Sequence, residues 1–229
     1  MEATFEPVEV ALARLEAQTH RRSIKSHTPA DCIPMFDSGR YIVVGRDGRD
    51  AFMSWCNHVS RLMPDRLRQL NDAAIADGVR PLRVWDGDVH AAFVEYLDRG
   101  EIFEHIASFW PLRHQDNVLF VHYNDLKGDL AGEMRRVAAF LEVDVDDDAW
   151  NEVVERCTFA RMRARGDEIA NFDGVFQGGI EGFLHKGTNG RWRDVLTADE
   201  LAAYDEATAT TLPVEARQWL LGGDGRPAR

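Results

Sequence analysis

Residues 41–45 read Tyr41-Ile42-Val43-Val44-Gly45 and run directly into Arg46. The run is apolar and β-branched at its centre, and glycine closes it, as expected of a strand buried in a sheet. Val118-Leu119-Phe120-Val121 repeats the pattern further along the chain. Helical patterns lie between the two. Asp47-Gly48 turns the chain into a helix over 49–61, a charged helix follows over 64–77, another over 89–98 stops at Gly100, and a fourth spans 101–110. Strands separated by helices predict an α/β fold with a parallel sheet.

Outward from this centre, residues 7–19 predict an amphipathic helix, with Val8, Ala11, Leu12 and Leu15 at helical spacing and Pro7 in the first turn. Residues 22–26 predict a short extended piece, and Thr28-Pro29 turns the backbone away from helix. Beyond the second strand, Asn124-Asp125 leads into a helix over 129–141. An acidic turn, Asp144 to Asp148, leads into another over 147–156. Residues 164–192 read as a long glycine-rich loop, which in a compact domain is usually functional. Helices over 197–209 and 213–220 close the chain, and the tail from Gly222 is expected to fray. With no repeat, low-complexity tract or linker, residues 1–229 read as one domain.

Composition narrows the function. A net charge of −12 over 229 residues argues against broad nucleic-acid binding but permits a local cationic pocket. Cys32, Cys56 and Cys157 have neither metal-ligand nor disulfide spacing and read as buried free thiols in a reducing cytoplasm. No apolar run approaches the ~18 residues of a membrane span. The acidic start Met1-Glu2-Ala3-Thr4 lacks the features of a signal peptide. The expectation is a cytoplasmic protein without integral membrane contact.

Several residues carry chemistry. In Lys25-Ser26-His27-Thr28-Pro29, positions 25 and 27 of an extended piece share a face. Neutral His27 suits removal of a proton from a hydroxyl, and Lys25 suits stabilisation of the negative charge that develops. The plainer alternative is a solvated strand end. Arg46 sits just past the carboxyl end of a strand, where ligands bind in open parallel sheets, unless it is a salt bridge at the rim. Ser54 lies two turns into the next helix and could face the same ligand. Arg49-Asp50 reads as a structural or surface pair. Tyr123 holds the position corresponding to Arg46 after the second strand. It and Phe159 either stack on a base or cap the core. In Phe183-Leu184-His185-Lys186-Gly187-Thr188-Asn189-Gly190-Arg191-Trp192, exposed backbone N–H groups and the Lys186 ammonium suit a phosphate, with Trp192 anchoring the loop to the core.

In order and spacing, Lys-x-His-x-Pro, strand-Arg with Ser eight residues on, strand-His-Tyr-x-Asp-Leu, Cys-Thr-Phe-x-x-Met and Phe-Leu-x-Lys-Gly-x-x-Gly-x-Trp resemble the cytosolic-type sulfotransferases. The overall style is similar to actinobacterial members that act on alcohols or glycolipids, and the resemblance covers about residues 8–210. It implies a P-loop-NTPase-like parallel sheet flanked by helices. The implied co-substrate is 3'-phosphoadenosine 5'-phosphosulfate (PAPS), no metal is called for, and the acceptor is a small-molecule or glycolipid hydroxyl. By resemblance, His27 is the general base and Lys25 assists it. Arg46, Ser54, Lys186 and Gly187 hold the 3'-phosphate, and Tyr123 and Phe159 lie near the adenine. His185 stands where the family usually has arginine, which makes that clamp weaker or pH-dependent. The dimerisation signature survives only in Arg193 and Thr197, which leaves a homodimer open. The resemblance also puts the family's first strand and phosphosulfate-binding turn before residue 1. The chain is therefore expected to be an N-terminally incomplete domain, with an exposed apolar sheet face and poor activity as written. Two other readings stand beside this one. A non-catalytic nucleotide-binding fragment or partner module would lack the donor loop, and a kinase-like phosphoryl transferase would need a Gly-Lys-Ser/Thr turn and a magnesium carboxylate.

Overall fold

The computed structural model describes residues 7–169, 172 and 174–222. In chain order the elements are α1 (Val8–Glu16), β1 (Tyr41–Gly45), α2 (Gly48–Arg61), α3 (Pro64–Ala76), α4 (Val89–Arg99), α5 (Glu101–Phe109), β2 (Val118–His122), α6 (Tyr123–Gly128), α7 (Leu130–Phe140), α8 (Asp147–Arg156), α9 (Phe159–Ala164), α10 (Gly166–Ile169), α11 (Gly179–Phe183), α12 (Ala198–Thr211) and α13 (Val214–Gly222). The fold is α/β and mostly helical. Among the described residues the sheet is β1 paired in parallel with β2, in a register that sets Tyr41 opposite Val118 and Gly45 opposite His122.

That register positions the site. Because Gly45 and His122 are partners, the next residue of each strand, Arg46 and Tyr123, emerges side by side at the carboxyl edge. Both strands stop there for visible reasons. The fully buried His122 ring accepts a hydrogen bond from Asn124 N at 3.1 Å and thereby caps α6, while its other nitrogen lies 3.1 Å from the Leu220 carbonyl. Gly45 packs so closely on Trp219 of α13 that a Cβ would stand 2.2 Å from the indole.

The capping is local chemistry. The Asp47 carboxylate accepts from Arg49 N at the start of α2, and Asp88 accepts from His90 N and Ala91 N at the start of α4. Gly100 ends α4 in the left-handed region at φ 63°, which carries no penalty without a Cβ. Thr197 and Glu200 form a capping box on α12. The core is an aromatic cluster. Phe52 meets Phe93 edge-on at 4.8 Å, Phe103 meets Tyr204 at 5.5 Å, and Trp219 meets Phe120 at 5.3 Å and Trp110 at 5.8 Å. Trp192 belongs to the same cluster, so the glycine-rich segment is anchored to the core.

Several expectations need correction. β2 is buried throughout, but in β1 burial alternates, and Ile42 and Val44 remain 38% and 56% exposed because no described element covers that face. The extended piece at 22–26 joins no sheet. α1 forms, yet none of its residues is buried. Residues 164–192 are not one loop. They contain α10, α11 and the start of a 3-10 turn at Arg191–Asp194, and α6 precedes the helix expected over 129–141. Cys56 alone of the three thiols is buried, whereas Cys32 and Cys157 are exposed. Burial pushes the Cys56 thiol up to about 12, so it is an inert core group. Arg49 pairs with Asp47 at 2.7 Å rather than with Asp50, and its guanidinium lies 3.9 Å over the Trp192 ring. The expected fraying beyond Gly222 falls on residues 223–229, outside the described residues.

Candidate functional site

The floor of the site is the carboxyl edge of β1 and β2. The Arg46 guanidinium lies 4.2 Å over the Tyr123 ring. Its Nη1 donates to Ser54 Oγ at 3.0 Å, and its Nη2 donates to Asn189 Oδ1 at 2.8 Å and the Thr188 carbonyl at 3.4 Å. All three acceptors are neutral. Ser54 reaches Arg46 because α2 starts two residues after it and carries Ser54 round to the same side.

One wall is the segment 175–190, which runs antiparallel along one stripe of α2. Arg61 O accepts from Gln177 N at 2.7 Å, Asn57 Nδ2 donates to Gly182 O at 3.1 Å, and Gly190 N donates to Asp50 Oδ1 at 2.7 Å. Positions 50, 54, 57 and 61 are spaced to share a helix face. Asp50 is buried, and burial is the main cause that raises its carboxyl above the usual range. The Gly190 N–H and the nearby Arg46 and Arg193 charges pull the other way, and Asp47 adds to the rise.

The tip of this wall is Gly187, at φ 62°. A Cβ there would stand 3.0 Å from the Phe159 ring, so glycine is required both by the left-handed backbone and by the approach to Phe159. Lys127 Nζ donates to the Gly187 carbonyl at 2.7 Å, and Asn189 Nδ2 donates to Asn124 Oδ1 at 2.6 Å. Phe159 is fixed at the start of α9, where Thr158 Oγ1 accepts from Arg161 N. Lys186 is exposed beside half-buried His185. The His185 imidazole is held below its ordinary value, first by partial burial and then by the positive charges of Arg191, Lys186, Arg61 and Arg163. Its Nδ1 lies 3.4 Å from Arg191 Nη1.

The 25–30 segment is tied to α5. Ala30 N donates to Ser108 Oγ of α5 at 2.9 Å, and Thr28 N donates to Ser26 Oγ at 2.9 Å, which fixes the turn that carries His27. The His27 imidazole is lowered by desolvation and then by the Lys25 ammonium, which leaves it neutral near pH 7. The same two groups act on His58 of α2, one turn beyond Ser54. Burial lowers its imidazole most, followed by the charges of Lys25 and His27.

The structure therefore brings Arg46, Ser54, Tyr123, Phe159 and Gly187 into one cluster, with Lys186 and His185 on the same loop, while Lys25 and His27 lie on a separate segment that bonds to α5 and, among the described residues, reaches α2 only electrostatically, through His58. The sequence reading missed Asn124, Lys127, Thr188 and Asn189, which cross-brace the cluster, and His58 and His105, which approach His27. Thr188 and Asn189 lie within the quoted glycine-rich stretch but carry no signal of their own there, and nothing local marks the bracing roles of Asn124, Lys127, His58 and His105. Among the described residues no group of His, Cys, Asp or Glu side chains is arranged to hold a metal ion. No described helix is long and apolar enough to cross a membrane.

A family model for the sulfotransferase domain matches residues 1–215. The chain belongs to the sulfotransferase family. A glycolipid sulfotransferase of Mycobacterium tuberculosis is 30% identical over 245 residues, covering 96% of this chain and 75% of that protein. Rat sulfotransferase 1A1 is 22% identical over 88% of this chain and 66% of its own length. Among solved structures, mouse sulfotransferase SULT7A1 complexed with PAP superposes with a TM-score of 0.65 at 21% identity, covering 91% of this chain and 72% of that one. Retinol dehydratase, solved with androsterone and the inactive cofactor PAP, superposes with a TM-score of 0.67 at 25% identity over 88% of this chain and 57% of that one. The present sulfotransferase is thus an enzyme of sulfuryl transfer with the α/β fold of its relatives.

Proposed function

We propose that this sulfotransferase takes its sulfuryl group from PAPS and delivers it to an acceptor hydroxyl of a small molecule or glycolipid, with His27 as general base. The observation that carries this reading is the cluster at the strand ends. Among the described residues Arg46 donates to neutral oxygens, its buried Nε has no partner, and no carboxylate is hydrogen-bonded to it, although Asp50 lies near enough to feel its charge, so a positive charge is left to face the site. A phosphate suits that guanidinium, with the Ser54 hydroxyl and the loop at Lys186-Gly187 as further donors. The Tyr123 and Phe159 rings suit an adenine. The donor, when bound, supplies the sulfuryl group, and the chain's own residues do the rest. Neutral His27 accepts the acceptor's proton, Lys25 stabilises negative charge as it develops, and the loop excludes water. Positioning and charge stabilisation dominate such transfers.

Calorimetry tests the donor assignment. The product nucleotide 3'-phosphoadenosine 5'-phosphate (PAP) is expected to bind at least about tenfold more tightly than 5'-AMP, because only PAP carries the 3'-phosphate. Arg46→Ala is expected to erase most of that difference. Equal affinity for the two nucleotides in the unaltered protein would sink the assignment.

A further inference from the structure

The hydrogen bonds of Arg46 do not end at the loop. Its Nη2 donates to Asn189 Oδ1 at 2.8 Å, the Nδ2 of that amide donates to Asn124 Oδ1 at 2.6 Å, and Asn124 Nδ2 donates to the Gly222 carbonyl at 3.4 Å. Ser54 takes the other end of the guanidinium at 3.0 Å, so a continuous run of hydrogen bonds crosses the strand ends from α2 to α13. Its direction is fixed by chemistry. A guanidinium only donates and a backbone carbonyl only accepts, so each amide between them turns its oxygen toward Arg46 and its nitrogen toward Gly222. The loop itself is held by other groups. Lys127 Nζ fastens the Gly187 carbonyl and Asp50 Oδ1 fastens Gly190 N, each at 2.7 Å, with Gly190 in the left-handed region at φ 79°. Asn189 lies between these two anchors, and its side chain uses its oxygen on Arg46 and its nitrogen on Asn124.

We infer that Asn189, backed by Asn124, is a positioning residue of the donor site: its neutral amide orients the Arg46 guanidinium without cancelling the charge that a nucleotide phosphate needs. The inference rests on the donor reading above and adds what keeps that cation effective. Two observations carry it. The first is geometric. The guanidinium is held from separate directions, by Ser54 Oγ at Nη1, by Asn189 Oδ1 at Nη2, and by the Tyr123 ring 4.2 Å from its carbon. The second is the kind of acceptor. A carboxylate at position 189 would bond the same nitrogen more strongly, because a charge-assisted pair is the tighter one, and would thereby neutralise Arg46. Asp50, a carboxylate close enough to feel the Arg46 charge, is turned to Gly190 N instead. Asn124 in turn sets the amide. Without an acceptor for its Nδ2, Asn189 is free to rotate and present that nitrogen to Arg46, donor against donor. Asn189 touches no reacting atom in this scheme and acts through Arg46.

Calorimetry on the whole chain with PAP and 5'-AMP reads the role, because only PAP carries the phosphate assigned to Arg46. Asn189→Asp, of the same size, is expected to bring the preference for PAP from about tenfold or more down to within about twofold, with 5'-AMP affinity unchanged. Asn189→Ala removes the oxygen without adding charge and is expected to weaken PAP binding by about two- to tenfold, the range of one lost hydrogen bond. A double-mutant cycle separates positioning from bracing. In the Arg46→Ala background, Asn189→Ala is expected to change PAP affinity by less than about twofold, since the group it orients is gone. A PAP preference that survives Asn189→Asp, an equal loss of PAP and 5'-AMP affinity in Asn189→Ala, or a full loss repeated in the Arg46→Ala background each overturns the inference. Should Asn189→Asp fail to fold, the alanine cycle decides alone. An unaltered protein that binds both nucleotides equally sinks the donor reading itself, and with it this inference, whereas failure in the variants alone leaves the donor reading standing.

Discussion

At the residue scale the balance of charges around His27 sets its chemistry. Desolvation and the Lys25 ammonium both disfavour the imidazolium, so the base form is populated below the ordinary 6.5. The acidic limb of kcat/KM is therefore expected below pH 6.5. Lys25→Gln removes a positive charge and is expected to move that limb upward, with burial still holding it below the ordinary value. A limb that stays in place after this change would remove Lys25 from the electrostatics of the base. His27→Ala is expected to lower kcat roughly 10²- to 10⁴-fold, with PAP affinity retained, measured by turnover and calorimetry side by side. His185 is different in kind. It too is lowered, but by four neighbouring cations as well as burial, so in this clamp the lasting charge comes from Lys186 and Arg191 rather than from position 185.

At the element scale the site depends on two junctions, the end of β1 and the seam between α2 and the 175–190 segment. Gly45 is the tight point of the first. An added Cβ would stand 2.2 Å from Trp219, which itself packs on Phe120, Trp110 and His122. Gly45→Ala is expected to destabilise the fold by about 1–3 kcal/mol through overpacking, read as a lower urea midpoint. An unchanged midpoint would mean that α13 yields freely and does not fix the strand end. The elements themselves were largely legible. β1 and β2, α2, α4, α5 and α8 fall where periodicity, caps and β-branched content put them, because each is specified by neighbours in sequence. The short helices inside 164–192 were not legible. Glycines there obscured any period, and what orders α11 is contact with α2 rather than its own propensity.

At the scale of the whole molecule, His27, His58, His105 and His185 all have imidazoles lowered from 6.5. The unfolded chain takes up these protons first, so stability is present above pH 6.5 and is lost as pH falls below it. Tm is expected to decrease from pH 7.5 to 5.5, well above the range in which carboxylates such as Glu200, lowered from 4.5, begin to contribute. His58→Phe is expected to flatten part of that slope. A Tm that is flat or rises across this interval would contradict the shared sign of the four shifts.

The sequence alone determined which residue types could do the chemistry and in what order they occur. Lys25, His27, Arg46, Ser54, Tyr123, Phe159, Lys186 and Gly187 were marked by local signals: strand ends, a glycine-flanked cation, and the spacing shared with a known family. Only the tertiary structure decided which of them meet and what completes them. The parallel register of β1 and β2 brings Arg46 onto Tyr123, and the path of 175–190 along α2 supplies Asn189, Thr188 and the Phe176–Phe183 wall beside His58. Caps and periods act over a few residues and leave a mark in the chain. A contact between residues more than a hundred positions apart, such as Arg46 with Asn189, leaves none, because it is set by how whole elements pack.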